Sequence, residues 1–201
     1  IILPCGISEV SGDNDDSPEW YRAISEKIVF GYVGNLGEAH DADFIIEVMK
    51  SINPQTQHFI LVGYGVKADK VCTQAYGIDG VTVLDRVERE HLRFIDVHLA
   101  TLLPEWDHVC VPSKAVSAVC QGGCLILCCS EENDNWKLLY KASWRVDPRW
   151  PTNNSIPELI GRLSRAVVSA KKTHAQSVRS HLLDMKSQGF AHILEAIRQV
   201  Y

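Results

Sequence analysis

Four short segments of the 201-residue chain combine residue types that suit the binding of a phosphate-bearing anion. The first is Pro112-Ser113-Lys114, placed directly before the apolar, helix-patterned run AVSAVCQ. Proline fits the first position of a helix, where its missing N–H is not needed. Ser113 and Lys114 then add a hydroxyl and an ammonium beside free backbone donors, an arrangement suited to a diphosphate. A helix N-terminus is already positive, and stability alone would favour Asp or Glu there. The plain alternative is a solvated lysine on a surface helix. The second segment, GNLGEAHD (34–41), follows an apolar run and precedes a helical one. Gly34 and Gly37 would let a phosphate approach backbone N–H groups, with Asn35 and His40 alongside. A two-glycine turn serves a strand-to-helix connection equally well. In the third, GYGVKAD (63–69), Gly63 and Gly65 close an apolar run and Lys67 lies just beyond. The fourth, Asp85-Arg86-Val87, could hold a base through backbone groups. Asp107 and His108, in the loop ahead of Pro112, are the candidate catalytic residues.

These segments need elements to position them. The runs 28–34, 58–63, 81–84, 97–103, 124–129 and 144–146 read as strands, most of them continuously apolar as strands buried on both faces should be. Helical patterns lie between them: 41–52 with Asp41 as N-cap and Phe44, Ile45, Val48, Met49 and Ile52 on one face; 66–77 ending at Gly77; 89–95; and 113–121. Ser155 and Glu158 have capping-box spacing ahead of a helix that runs on towards Lys172. Two more helical stretches follow, broken at Gly189. The alternation predicts an α/β fold, a Rossmann-like doubly wound parallel sheet of about six strands with helices on both faces and C-terminal helices. Its ligand belongs beyond the carboxyl ends of the strands. The expected organisation is a lead-in with a short helix at 1–27, a Rossmann-like domain at 28–172, and C-terminal helices at 173–201.

Composition narrows the partners. A net charge of −5 and a pI near 5.9 argue against a nucleic-acid surface. No apolar run reaches the roughly 18 residues of a membrane span, and IILPCGISEV lacks the basic flank of a signal peptide. Of the seven cysteines, five crowd into 110–129 without a CxxC or paired histidines, so they read as small buried hydrophobes in a reducing cytosol rather than zinc ligands. Gly-x-Ser-x-Gly and His-Glu-x-x-His are absent, which removes those hydrolase and zinc-protease classes.

Taken in order, FGYVGNLGEAHDADFIIEVM, HFILVGYG, VTVLDRV, IDVHLATLLPEWDHVCVPSK and a glycine before CLIL resemble the C-terminal half of retaining glycosyltransferases of the two-Rossmann-domain type, the glycosyltransferase B fold, family 4. The resemblance covers about residues 28–147 and extends through SIPELIGRLSRA and back into IILPCGI, which resembles the inter-domain linker strand. It implies that this half binds a nucleotide-sugar donor, a UDP- or GDP-sugar, without a metal or other cofactor. Gly34 and Asn35 would lie under the diphosphate or sugar. Arg86-Val87 would hold the base through its backbone, and Ser113 and Lys114 would face the phosphates. The implied acceptor is a glycan or lipid-linked sugar in polysaccharide or cell-surface biosynthesis, brought by an N-terminal half. The implied place is the cytoplasm, with peripheral association at the cytoplasmic face of the membrane. The chain departs from the family pattern in three places. Val109 and Ser117 stand where relatives have a pair of glutamates, and Gly122-Gly123-Cys124 where they have Gly-x-Pro. Asn35 and His40 occupy the loop that usually carries an Arg/Lys pair. The missing glutamates and Gly122-Gly123 motivate one alternative, a non-catalytic nucleotide-sugar-binding or scaffold module of the same fold; a sugar-nucleotide epimerase, which shares the two-domain architecture, is another.

Overall fold

A computed structural model describes residues 6–7, 16–109, 113–152 and 155–200. Six strands, β1 (Ile28–Asn35), β2 (Gln57–Tyr64), β3 (Val81–Val83), β4 (Val97–Thr101), β5 (Cys124–Cys128) and β6 (Ser143–Val146), form one all-parallel sheet in the order β3-β2-β1-β4-β5-β6. The order reverses between β1 and β4. In such a sheet the crevice at this switch point, beyond the carboxyl ends of the strands, is where ligands bind.

Helices cover both faces. On one, α2 (Ala42–Ser51), α3 (Ala68–Ala75) and α6 (Ser155–Arg162) pack against Phe30, Tyr32, Phe59 and Leu61 of the central strands. Asp41 caps α2 as its position predicts, its Oδ1 accepting from the Phe44 N–H at 3.0 Å. Its other oxygen accepts from the Trp150 indole at 3.1 Å, which ties the start of α2 to the segment ahead of α6. Phe44, Ile45, Val48 and Met49 are buried completely, each contributing about 1.5–3 kcal/mol relative to exposure. On the other face lie α4 (Ser113–Cys120), α5 (Asp134–Leu139) and α7 (Arg165–Val200), packed through Val116, Val119, Leu139, Ala175, Val178 and Leu182. The described cysteines, Cys72, Cys120, Cys124, Cys128 and Cys129, are free thiols. Burial raises the Cys124 and Cys129 thiols to about 12, and they act here as packing groups.

Several expected elements differ. The lead-in helix is a single turn, α1 (Glu19–Arg22), with Pro18 as its N-cap. The segment expected to be helical at 89–95 is a 3-10 helix, Arg89–Phe94, in which no residue is fully buried. The long helix expected from Ser155 stops at Arg162, and α7 starts at Arg165. Two side chains explain the break. The Gln57 amide donates to the carbonyls of Ile160 and Leu163, at 3.1 and 3.2 Å, ending α6. Ser164 then caps α7, its hydroxyl accepting from the Val167 N–H at 3.3 Å. Beyond it, α7 runs 36 residues straight through Gly189. One glycine costs a helix only about 1 kcal/mol, and here it does not interrupt the chain. The acidic turn EENDN hides the start of α5, where the Asn133 side chain accepts from the Asn135 N–H at 2.9 Å. Pro112, and most of the linker segment IILPCGI, lie outside the described residues.

Candidate functional site

The carboxyl end of β1 and the start of α4 meet at Lys114. Its ammonium crosses from α4 to donate to the Tyr32 hydroxyl at 2.8 Å and to the Asn35 carbonyl at 3.2 Å. It also sits over the Tyr32 ring, 4.1 Å from the centroid. The Tyr32 hydroxyl donates in turn to the Asn35 carbonyl at 2.6 Å. Tyr32 is completely buried, and burial raises its phenol above the usual range, with Tyr64 adding to the effect. Desolvation lowers the Lys114 ammonium to about 8. A positive charge is thus held, at an energetic cost, at the end of β1.

Gly34 makes that approach possible. Its φ is +133°, and a Cβ there would lie 3.1 Å from the Lys114 Nζ. Any side chain would be strained by the backbone and would crowd the ammonium.

The following loop is tied down by its neighbours. Lys67, at the start of α3, donates to the carbonyls of Glu38 and His40, the latter at 2.9 Å. The Lys67 N–H bonds the Leu36 carbonyl at 3.0 Å, and the Leu36 N–H bonds the Tyr64 carbonyl at 2.6 Å. Gly63 lets this loop seat, since a Cβ there would meet the Leu36 side chain at 3.1 Å. The Nδ1 of His40 lies 3.1 Å from the Gly37 N–H, from which it accepts when the ring carries its proton on Nε2 alone, and 3.3 Å from the Gly37 carbonyl. Burial, then Lys114, and to a smaller extent Lys67 lower the His40 pKa, while the Gly37 carbonyl opposes the shift. Gly34, Asn35, Gly37, His40, Lys67 and Lys114 therefore form one cationic corner.

Beside it opens a cavity of about 320 Å³ between the Arg89–Phe94 turn and α4, lined by Arg89, His98, Ser113, Lys114 and Ser117 among others. Among the described residues, no carboxylate lines it. His98 is buried at its floor, with the Nε2 unpartnered. Burial, the largest influence, lowers its pKa to about 4.

The other expected residues lie apart from this corner. Arg86 is exposed and forms a two-pronged pair with Glu88 at 2.9 Å. Val87 packs against the small cluster of Ile24, Val29, Ile60 and Ile95. Neither lines the cavity. The Asp107 carboxylate is buried and committed to structure. One oxygen accepts from the Ser130 N–H at 3.1 Å and the other from the Asn133 amide at 2.9 Å. His108 is exposed on the following turn. No motif in the sequence singles out Tyr32, Arg89 or His98 for this site. For Tyr32 a signal existed: a hydroxyl inside the apolar run IVFGYVG must find a partner when buried.

No family model matches the chain, and no curated protein matches it in sequence. Solved structures do match in shape. An α,α-trehalose-phosphate synthase (UDP-forming) from Burkholderia vietnamiensis is 13% identical, covers 94% of this chain and 50% of its own, and superimposes with a TM-score of 0.64. The trehalose-6-phosphate synthase OtsA is 16% identical over 96% of this chain and 49% of its own, with a TM-score of 0.63. Anabaena Alr3699/HepE, solved in complex with UDP and glucose, is 17% identical over 88% and 50%, with a TM-score of 0.63. The fold is that of one glycosyltransferase B half. The chain spans about half the length of each of these structures.

Proposed function

We propose that this chain is the donor-binding half of a glycosyltransferase, and that the cationic corner at the end of β1 holds the diphosphate of a UDP- or GDP-sugar. The observation that carries the proposal is Lys114. A lysine whose ammonium is desolvated at the switch point of a parallel sheet, above a glycine loop, has little structural reason to be there. HepE, solved in one complex with UDP and glucose and in another with UDP-glucose, shares the fold and supports the class of ligand. The sequence resemblance refines this to a retaining, family 4-like transferase acting without a metal. An N-terminal half would present the glycan or lipid-linked acceptor, with the whole protein working at the cytoplasmic face of the membrane. In this scheme Ser113, Lys114 and the Gly34–Gly37 loop take the phosphates. Arg86 and Val87 would reach the base only if their loop moved towards the cavity. Thermal unfolding in the presence of UDP, GDP and their sugars tests the proposal: one series should raise Tm saturably, and none doing so at millimolar concentration would refute it.

One observation favours a second reading, binding without transfer. The positions that carry glutamates in the family it resembles are Val109 and Ser117, and no acid among the described residues lines the cavity. Turnover of a sugar nucleotide by the protein joined to an acceptor-binding half would exclude this reading.

A further inference from the structure

The groups of this corner best suited to an anion already have partners within the protein. Lys114 is held by Tyr32 and Asn35, Lys67 by two loop carbonyls, and the Gly37 N–H by the His40 Nδ1. The third of these contacts has two forms. A neutral imidazole with its proton on Nε2 accepts from the Gly37 N–H, and a charged one can only donate, to the Gly37 carbonyl 3.3 Å away. Both atoms lie within reach of the same Nδ1, so the exchange needs a proton but almost no movement.

We infer that His40 is a proton-coupled gate on the Gly37 N–H: an arriving diphosphate charges the imidazole, which switches to the Gly37 carbonyl and releases the N–H to the ligand. The proton comes from solvent, and no covalent bond to carbon or phosphorus is made or broken. The groups around His40 favour this polarity. From α4 it faces the Lys114 ammonium, and from the start of α3 the Lys67 ammonium, which sits on the His40 carbonyl. From β1 it meets the edge of the Tyr32 ring, with centroids 6.4 Å apart. The neighbouring Asp41 is committed to the α2 cap and to Trp150, and Glu38 is exposed. Two cations and partial burial keep the ring neutral while the site is empty. An anion seated between them cancels their repulsion and raises the affinity of the ring for a proton. The inference rests on the nucleotide-sugar assignment for the identity of the anion, but not for the exchange at Gly37.

The test uses the full chain and has two arms. In the ligand-free arm, ¹⁵N-edited NMR follows the His40 ring and the Gly37 amide between pH 5 and 8. The expected result is an Nδ1 acceptor at high pH and a Gly37 amide shift that tracks the His40 titration. The amide should lose its pH dependence in His40→Asn, which keeps an acceptor but cannot be charged. A Gly37 amide that ignores the His40 titration, or an Nδ1 already protonated at pH 8, overturns the gate. The second arm measures the heat of UDP-glucose binding at pH 7 in buffers of different ionisation enthalpy. UDP-glucose is used because its phosphates do not titrate in this range. Wild type should take up on the order of half a proton per ligand more than His40→Asn. Uptake from Lys114 is common to both proteins and cancels in the comparison. Equal uptake overturns the coupling while leaving nucleotide-sugar binding intact. Absence of binding alongside a normal Gly37 titration overturns the nucleotide-sugar assignment and the ligand-driven step, and leaves the exchange at Gly37 standing.

Discussion

Replacing Lys114 by methionine should make the protein more stable and a worse binder. Methionine reproduces the aliphatic stem, one atom short of the ammonium, and removes the charge, and the Tyr32 hydroxyl can still donate to the Asn35 carbonyl. Desolvation lowers the ammonium from 10.5 to about 8, so the charged form is disfavoured in the fold despite its contacts with Tyr32 and Asn35. One pKa unit corresponds to about 1.4 kcal/mol. Allowing for the solvent that reaches this half-buried side chain leaves a gain of ~1–2 kcal/mol at pH 7. In a chain of this size that raises Tm by roughly 2–8 °C. The pH dependence has a definite sign. Between pH 8 and 10.5 the unfolded chain holds a proton on this lysine that the folded chain has released, so wild-type stability rises with pH through that window. The variant should lack that rise. Against this gain, a charge-assisted bond to a diphosphate is worth about 1.5–3 kcal/mol, so affinity for a UDP- or GDP-sugar should fall roughly 10- to 150-fold. Denaturant melts at pH 7 and pH 9.5, together with titration calorimetry, measure both effects. A variant that is less stable than wild type and binds equally well would refute the assignment of Lys114 as an anion-binding group.

Three further outcomes follow from the same geometry. His98 is held neutral with a pKa of about 4, so the unfolded chain takes a proton at pH 6.5 and below that the folded chain does not. Stability should drop by about 3 kcal/mol as pH falls from 6.5 to 4, and acid titration of His98→Leu should lack that part of the drop. Gly123→Ala should destabilise by ~2 kcal/mol or more by denaturant melts, because its Cβ would sit 2.5 Å from the buried His98 ring. Asp107→Asn sets an amide against the Ser130 N–H or the Asn133 amide and should cost about 1–3 kcal/mol of stability. If its role is structural, calorimetry will show UDP-glucose affinity unchanged at temperatures where the variant is folded.

The sheet was legible because its central strands are buried on both faces and so read as continuous apolar runs. β5, CLILC, is buried at all five positions, and the boundaries of β1 and β2 fall within a residue of those expected. The errors arose where single polar side chains set the boundaries. Gln57, far away in sequence, ends α6, and Ser164 starts α7. A local pattern contains neither the long-range contact nor the decision of a helix to continue through Gly189. Within the site, Lys114 and the Gly34–His40 loop were legible because helix N-termini and glycine turns have local chemistry. The partners that define their state were not. Tyr32 reaches Lys114 across 82 positions of sequence. The acid Asp107, a natural catalytic candidate by residue type, is turned inward by Ser130 and Asn133, residues with no motif of their own.

The most direct test of the central claim is to follow backbone amide NMR signals while UDP-glucose, and then a GDP-sugar, is titrated into the chain. The account predicts saturable shifts concentrated at Gly34–Gly37, His40 and Ser113–Lys114, with α7 unaffected. Shifts that fail to saturate with either ligand, or that cluster away from the end of β1, would contradict it.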